Sequence, residues 1–263
     1  MVTTAKAAFA KPLRRAKGTV SLERALSKLG LASRSQARVL IEQGRVTVDG
    51  GVVTNPALRL TPERVTIAID GTTPSLAAPL TILLHKPRGY VTTRSDPEAR
   101  KTVYDLLEDV PSRVVPVGRL DLATSGLLIL TNDTHFANWL SDPASGVDRV
   151  YLVTVEGRAT EETVAQLIKG VEADGDFLFA ESAVVRKASQ RESHLTITLR
   201  EGKNREIRRL MAALGHPVTQ LRRVQFGGLE LGTLAPGQWR TVTPDELSDA
   251  FPRYLRRRAP RPK

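Results

Sequence analysis

One stretch of this 263-residue chain gathers reactive residue types into a small space: Val117-Gly118-Arg119-Leu120-Asp121-Leu122-Ala123-Thr124-Ser125-Gly126-Leu127-Leu128-Ile129-Leu130-Thr131-Asn132-Asp133. A strand ending at Gly118, a polar loop bounded by two glycines and an apolar strand returning inward would hold Asp121 on a rigid frame. A carboxylate so held can act as nucleophile, general base or metal ligand. The same position also suits a turn aspartate that bonds its own backbone amides. Tyr151 alternates with Val153 and Val155 along a strand, which turns its ring to the buried side. On a helix expected over Arg205–Leu214, the residues Ile207, Leu210, Met211 and Leu214 form the packing stripe. Arg208 lies about 100° from Ile207, at the border of that stripe. Lys203, Arg205, Arg209, Arg222 and Arg223 make this region basic, opposed only by Glu201 and Glu206.

Other chemistries find little support. The histidines (His85, His135, His194 and His216) lack ligand-like spacing, so no metal site is expected. There is no glycine-rich phosphate loop, and no cofactor is expected. A glycosidase carboxylate pair would need a second acid in register with Asp121, and none presents itself. The chain has no cysteine, which excludes disulfides, thiolate metal sites and cysteine nucleophiles.

The elements that must position these residues can be read from periodicity and caps. Ser21 can cap a short helix carrying Leu22, Ala25, Leu26 and Leu29, with Gly30 as its stop. Ser33 and Gln36 have capping-box spacing for a second helix that ends near Gly44. Arg34 and Arg38, four residues apart, share the face opposite its apolar stripe. Arg45–Val48, Asp49-Gly50 and Gly51–Val53 read as a hairpin. Residues 68–79 read as a linker. Strands are expected at Leu80–Leu84, Val114–Val117, Leu127–Leu130, Tyr151–Val155, Ala183–Arg186, Leu195–Leu199 and near Gly227–Leu231. Helices are expected at His135–Leu140, capped by Asp133, and at Glu161–Lys169. Strands outnumber helices without alternating strictly with them, so the fold class is α+β.

The formal net charge is +11, and 41% of residues are hydrophobic. Residues 1–19 carry Lys6, Lys11, Arg14, Arg15 and Lys17, and residues 251–263 carry Arg253, Arg256, Arg257, Arg258, Arg261 and Lys263, with no acid in either. These two ends hold the whole excess and read as a basic flexible arm and tail, suited to a polyanionic partner. No apolar run is long enough to cross a membrane, and no secretory signal is evident. A cytoplasmic monomer is expected.

Two resemblances add to this reading. Ser21-Leu22-Glu23-Arg24-Ala25, Ala32-Ser33-Arg34-Ser35-Gln36-Ala37 and Gly44-Arg45-Val46-Thr47-Val48-Asp49-Gly50 together resemble the S4 RNA-binding domain of α-L type, over residues 20–67. That likeness implies that Arg34 and Arg38 face RNA phosphates. Gly118-Arg119-Leu120-Asp121 with Thr124-Ser125-Gly126-Leu127-Leu128 resembles the central motif of pseudouridine synthases, in the RsuA/RluB branch that acts on ribosomal RNA. His85-Lys86-Pro87-Arg88-Gly89 and Glu201-Gly202-Lys203-Asn204-Arg205-Glu206-Ile207-Arg208-Arg209-Leu210-Met211 resemble its first and last motifs. The family resemblance implies a synthase domain at residues 80–250 with a mixed, mostly antiparallel sheet and a central cleft. It implies Asp121 as nucleophile, Tyr151 stacked on the target base and Arg208 paired with Asp121. It also implies RNA contacts from Lys86, Arg119, Lys203, Arg205 and Arg209, with ribosomal RNA or ribosomal subunit precursors as partner. Arg149 stands where the family often has lysine, and Thr134 where it commonly has glycine. The alternative is a non-catalytic RNA-binding or ribosome-assembly factor on the same fold.

Overall fold

The computed structural model describes residues 18–74, 78–110 and 113–254. Most of the basic arm and tail expected at residues 1–19 and 251–263 lies outside the described residues. The chain divides into two compact units, with the boundary after residue 77.

The first unit runs β1 (Val20–Ser21), α1 (Leu22–Lys28), α2 (Arg34–Glu42), β2 (Val46–Val48), β3 (Gly51–Val52), β4 (Arg59–Leu60) and β5 (Ile67–Ile69). Helix α2 begins with the capping box: Ser33 accepts from the Gln36 amide, and Gln36 accepts from the Ser33 amide. Ser21 precedes α1 without making a side-chain cap. Asp49 and Gly50 both have positive φ, which lets a two-residue turn close the β2–β3 hairpin in register Thr47↔Val52. Leu22, Leu26, Ala37, Ile41 and Val46 are fully buried between the helices and this small sheet. The linker expected from residue 68 starts later, because Ala68 and Ile69 belong to β5, paired with Thr47 and Val46. Asp70, just beyond, accepts two hydrogen bonds from Arg45 at 2.9 and 2.6 Å, so the turn after β5 is tied to β2.

The second unit contains β6 (Thr81–Lys86), β7 (Val115–Pro116), β8 (Ser125–Thr131), α3 (Thr134–Ser141), β9 (Arg149–Glu156), α4 (Glu161–Lys169), β10 (Val171–Ala173), β11 (Asp176–Leu178), β12 (Ser182–Ala188), β13 (Glu192–Leu199), α5 (Glu206–Ala213), β14 (Val218–Phe226), β15 (Leu229–Glu230), β16 (Trp239–Thr241) and α6 (Pro244–Ala250). Its nine-stranded sheet has the order β12-β13-β9-β14-β8-β6-β16, with β15 on β14 and β7 on β8. Every pairing is antiparallel except β14 with β8. Strands β6 and β8 are apolar on both faces because the sheet is covered on both sides there. Leu84, Leu128 and Leu130 join one core with Tyr151, Val153, Ile207 and Leu210, whereas Leu83, Leu127 and Ile129 join the other with Phe136, Leu140, Phe226 and Phe251. Among the described residues no helix is long and apolar enough to cross a membrane.

Candidate active site

The loop from Arg119 to Thr124 hangs between β7 and β8, and its backbone is held at nearly every peptide. The Leu120 carbonyl accepts from the Thr92 hydroxyl at 2.9 Å, and that hydroxyl also accepts from the Leu120 amide at 3.2 Å. The Asp121 carbonyl accepts from the Thr124 amide at 2.9 Å and from Lys86 Nζ at 3.1 Å. The Leu122 carbonyl accepts from the Gly89 amide at 2.9 Å. The Ala123 carbonyl takes both Arg88 Nε at 3.1 Å and Arg208 Nη2 at 3.2 Å, and the Thr124 carbonyl takes Lys86 Nζ at 2.8 Å. Five consecutive carbonyls are thus occupied. Three segments far apart in sequence supply the donors: residues 86–92, the loop itself and α5.

What this clamp leaves free is the Asp121 side chain, one-third exposed. It lines a cleft of about 400 Å³ together with Tyr151, Arg149, Arg205, Glu206 and Arg223. Tyr151 comes from β9 and is 8% exposed, with its ring on the core side as the strand alternation predicts. Arg205 enters α5 in the left-handed conformation (φ 49°, ψ 31°) with no side-chain cap. Its Nη1 lies 3.9 Å from Asp121 Oδ2.

Several expected contacts fall differently. Arg208 makes no ion pair with Asp121 within 4 Å; Arg205 is the closer cation, and Arg208 grips the Ala123 and Val218 carbonyls instead. Burial and then the Arg205 charge push Arg208 below the usual arginine range, while the Asp121 charge acts the other way. Lys86 is expected at RNA but is 0% exposed, and its ammonium donates to the carbonyls of Pro87, Asp121 and Thr124. Desolvation lowers its pKa to about 8, although the Asp121 charge opposes the shift. Arg209 is also expected at RNA, yet it bonds Asp174 at 3.0 Å, Asp176 at 2.9 Å and the Ala173 carbonyl, clasping the β10–β11 hairpin to α5. Its donors are consumed within the protein. Lys203 pairs with Glu201 at 2.8 Å and donates to the Phe177 carbonyl. Arg119 is exposed on the cleft rim and makes no hydrogen bond or ion pair among the described residues. On α2, Arg38 pairs with Glu23 at 3.2 Å, whereas Arg34 is exposed.

Three cleft residues have no site role in the sequence reading, Arg149 standing only as a replacement for the family's lysine and Arg223 and Glu206 only as members of a charged cluster. Arg149 and Arg223 are buried, and Glu206 is only 3% exposed. Desolvation first, then a hydrogen bond and charge from Glu201, push the Glu206 carboxyl up to about 8. Glu206 sits three residues after Lys203, whose amide it accepts at 3.0 Å, but lysine is not a capping type, so that spacing gave no local signal. Arg149 and Arg223 carried none either. Among the described residues no group of three or more histidines, cysteines or acids could hold a metal ion.

This geometry has clear relatives. The model for "RNA pseudouridylate synthase" matches residues 80–213, and the model for the S4 domain matches residues 21–65. An RNA pseudouridine synthase of Aquifex aeolicus is 37% identical over 233 residues, covering 88% of this chain and 94% of the relative. The ribosomal large subunit pseudouridine synthase B of Bacillus subtilis is 36% identical, covering 86% of this chain and 93% of its own length. The crystal structure of a pseudouridylate synthase superposes with a TM-score of 0.61 at 27% identity, covering 87% of this chain and 98% of its own. With a family model over half its length and relatives aligned almost end to end, the chain belongs to the RNA pseudouridylate synthase family, in the form that carries an S4 domain ahead of the synthase domain.

Proposed function

We propose that this enzyme isomerises a specific uridine of ribosomal RNA to pseudouridine in the cytoplasm, with Asp121 as nucleophile. The observation that carries the reading is the clamp. Five occupied carbonyls immobilise the loop, and the one reactive group left over is a carboxylate at a cleft walled by Tyr151. Such pre-positioning is how a protein lowers the entropy cost of attack. The names of the Bacillus subtilis and Vibrio relatives, which refer to the large ribosomal subunit, support ribosomal RNA as the substrate.

In this reading the target nucleotide leaves its stack and enters the cleft. Tyr151 stacks on the base, an interaction worth roughly 1–3 kcal/mol. Asp121 attacks C1′ of the ribose, and the C1′–N1 bond breaks with its electron pair retained by uracil. The ring turns, C5 bonds to C1′, and the pair of the Asp121–C1′ bond returns to the carboxylate. Loss of the C5 proton restores the ring. Deprotonation at C2′ or attack at C6 would give the same carboxylate the decisive step. Arg205 supplies the cation nearest Asp121, and Arg208 fixes the loop that bears it. Arg34, Arg119 and Arg205 offer the freest donors to RNA phosphates, with Arg38 and Lys203 sharing their charge with Glu23 and Glu201.

The test is release of tritium from C5-labelled uridine in ribosomal RNA. Wild-type enzyme releases label, and Asp121→Asn lowers the rate by at least ~10³-fold, as expected for loss of a covalent nucleophile. Equal release by both proteins would remove Asp121 from the chemistry.

A further inference from the structure

Two arginines are buried beside the Phe226 ring, with guanidinium carbons 4.9 Å (Arg149) and 5.0 Å (Arg223) from its centroid. Their hydrogen bonding differs. Arg149 donates from Nη1 to the Val147 and Arg200 carbonyls and from Nη2 to the Leu140 carbonyl, so it is a structural brace. Arg223 is 2% exposed and donates through Nε to the Leu127 carbonyl at 2.8 Å, but its Nη2 is buried with no partner. No carboxylate lies within ion-pair distance of Arg223 among the described residues. A buried guanidinium with a spare donor is unfavourable unless something else comes to use it.

Its position says what that is. Arg223 is directly opposite Tyr151 in the β14–β9 pairing, so the two side chains leave the same face of the sheet side by side. On its other flank it pairs with Gly126, next to the Asp121 loop. Both Tyr151 and Arg223 line the cleft that holds Asp121. A base stacked on Tyr151 therefore has Arg223 as its neighbour in the plane of the sheet.

We propose that Arg223 is a further catalytic residue, donating from its guanidinium to a carbonyl oxygen of the target uracil and stabilising the negative charge the ring gains when its bond to ribose breaks. The inference rests on the reading of the Asp121 cleft as the reacting site. When the C1′–N1 pair stays with uracil, the charge spreads onto O2 and O4, and a fixed cationic donor binds that state more strongly than neutral uridine. Attack at C6 would also drive charge onto O4, so the role does not depend on the route. Arg223 exchanges no proton, and the atom balance of the isomerisation is unaltered.

The experiment compares full-length wild type, Arg223→Met, Arg223→Lys and Asp121→Asn under single-turnover conditions on a large-subunit ribosomal RNA transcript made with uridine or with 5-fluorouridine. Rearranged nucleoside is read by liquid chromatography after digestion; from 5-fluorouridine it is the C5-linked nucleoside that keeps its C5–F bond, since C5 has no proton to lose. Thermal unfolding reports the fold of each variant. Arg223→Met is expected to convert uridine ~100-fold more slowly. On 5-fluorouridine, whose base departs more readily as an anion, the deficit shrinks to about tenfold. Arg223→Lys keeps the charge but not the fork that reaches Leu127 and the base together, and falls between. It carries the comparison if the methionine variant does not fold. An equal deficit on both substrates, or no deficit, with Asp121→Asn inactive would overturn the role of Arg223 alone. Conversion by Asp121→Asn would overturn the site on which it rests.

Discussion

Glu206 shows how a single carboxyl can matter by staying neutral. It lies in the same cleft as Asp121, buried beside Glu201, and the cost of desolvating a second anion there raises its pKa to about 8. At neutral pH the cleft therefore carries one negative charge fewer than its formula suggests, which favours a uracil ring becoming negative. The same shift has a consequence for stability. A group whose folded pKa lies above its unfolded value contributes stability that is fully present below the unfolded pKa, near 4.5, and is lost as pH rises through about 8. Glu206→Gln keeps an acceptor for the Lys203 amide and removes the titration. Its unfolding free energy should exceed that of wild type by a margin that grows from pH 5 to pH 8.5, reaching on the order of 1–3 kcal/mol. A margin independent of pH in scanning calorimetry would show that Glu206 ionises normally. Lys86 titrates in the opposite sense: its lowered pKa makes stability rise with pH above about 8 in both proteins, so it cancels from the difference.

At the scale of elements, the cleft depends on one parallel contact inside an otherwise antiparallel sheet. Gly126 of β8 adopts φ +110°, and a Cβ there would lie 2.1 Å from the Arg223 carbonyl oxygen and 2.7 Å from its nitrogen. Neither backbone atom can yield without moving β14, which carries Arg223 and flanks Tyr151. Gly126→Ala should therefore destabilise the protein by more than ~3 kcal/mol, or give a protein that folds with β14 displaced and turnover lost. Urea unfolding checks this, and a change below 1 kcal/mol would mean the strands separate easily. The sequence made Gly126 visible as the end of a polar loop but gave no sign of this contact, because its partner strand was hidden. β14 (Val218–Phe226) reads Val-Thr-Gln-Leu-Arg-Arg-Val-Gln-Phe, with polar residues on both faces, and lacks the alternation that exposed β9 and β13. It is a central strand only because β9 and β8 pair with it from either side. By contrast, α4 was legible to the residue, since Thr160 caps it and Gly170 ends it. The same division holds in the site. The loop position of Asp121 and the buried face of Tyr151 follow from local pattern, and their roles were implied by the family motif alone, whereas the interior contacts of Lys86 and Arg223 span 38 and 96 positions of chain that no local pattern encodes.

For the whole molecule, selection of RNA under the proposed function depends on how its charge is distributed. Along the sequence the excess of +11 falls in residues 1–19 and 251–263, and the S4 unit presents its own cations on α2. The two α2 arginines are not equivalent. Arg38 shares its charge with Glu23, in a pair whose arginine side chain is 60% exposed, while Arg34 has no such partner among the described residues. An unpaired cation displaces one condensed counterion when it meets a phosphate, whereas a paired one must first give up its carboxylate. Arg34→Ala should therefore lower the slope of log affinity against log salt by ~0.7–0.9, and Arg38→Ala by less. Glu23→Gln, which frees Arg38, should raise affinity at low salt and make Arg38→Ala as costly as Arg34→Ala. Filter binding of ribosomal RNA across a salt series measures all three. Equal slopes in wild type and Arg34→Ala would place the RNA off this face of α2, and would shift the docking role to the cleft rim around Arg119 and Arg205.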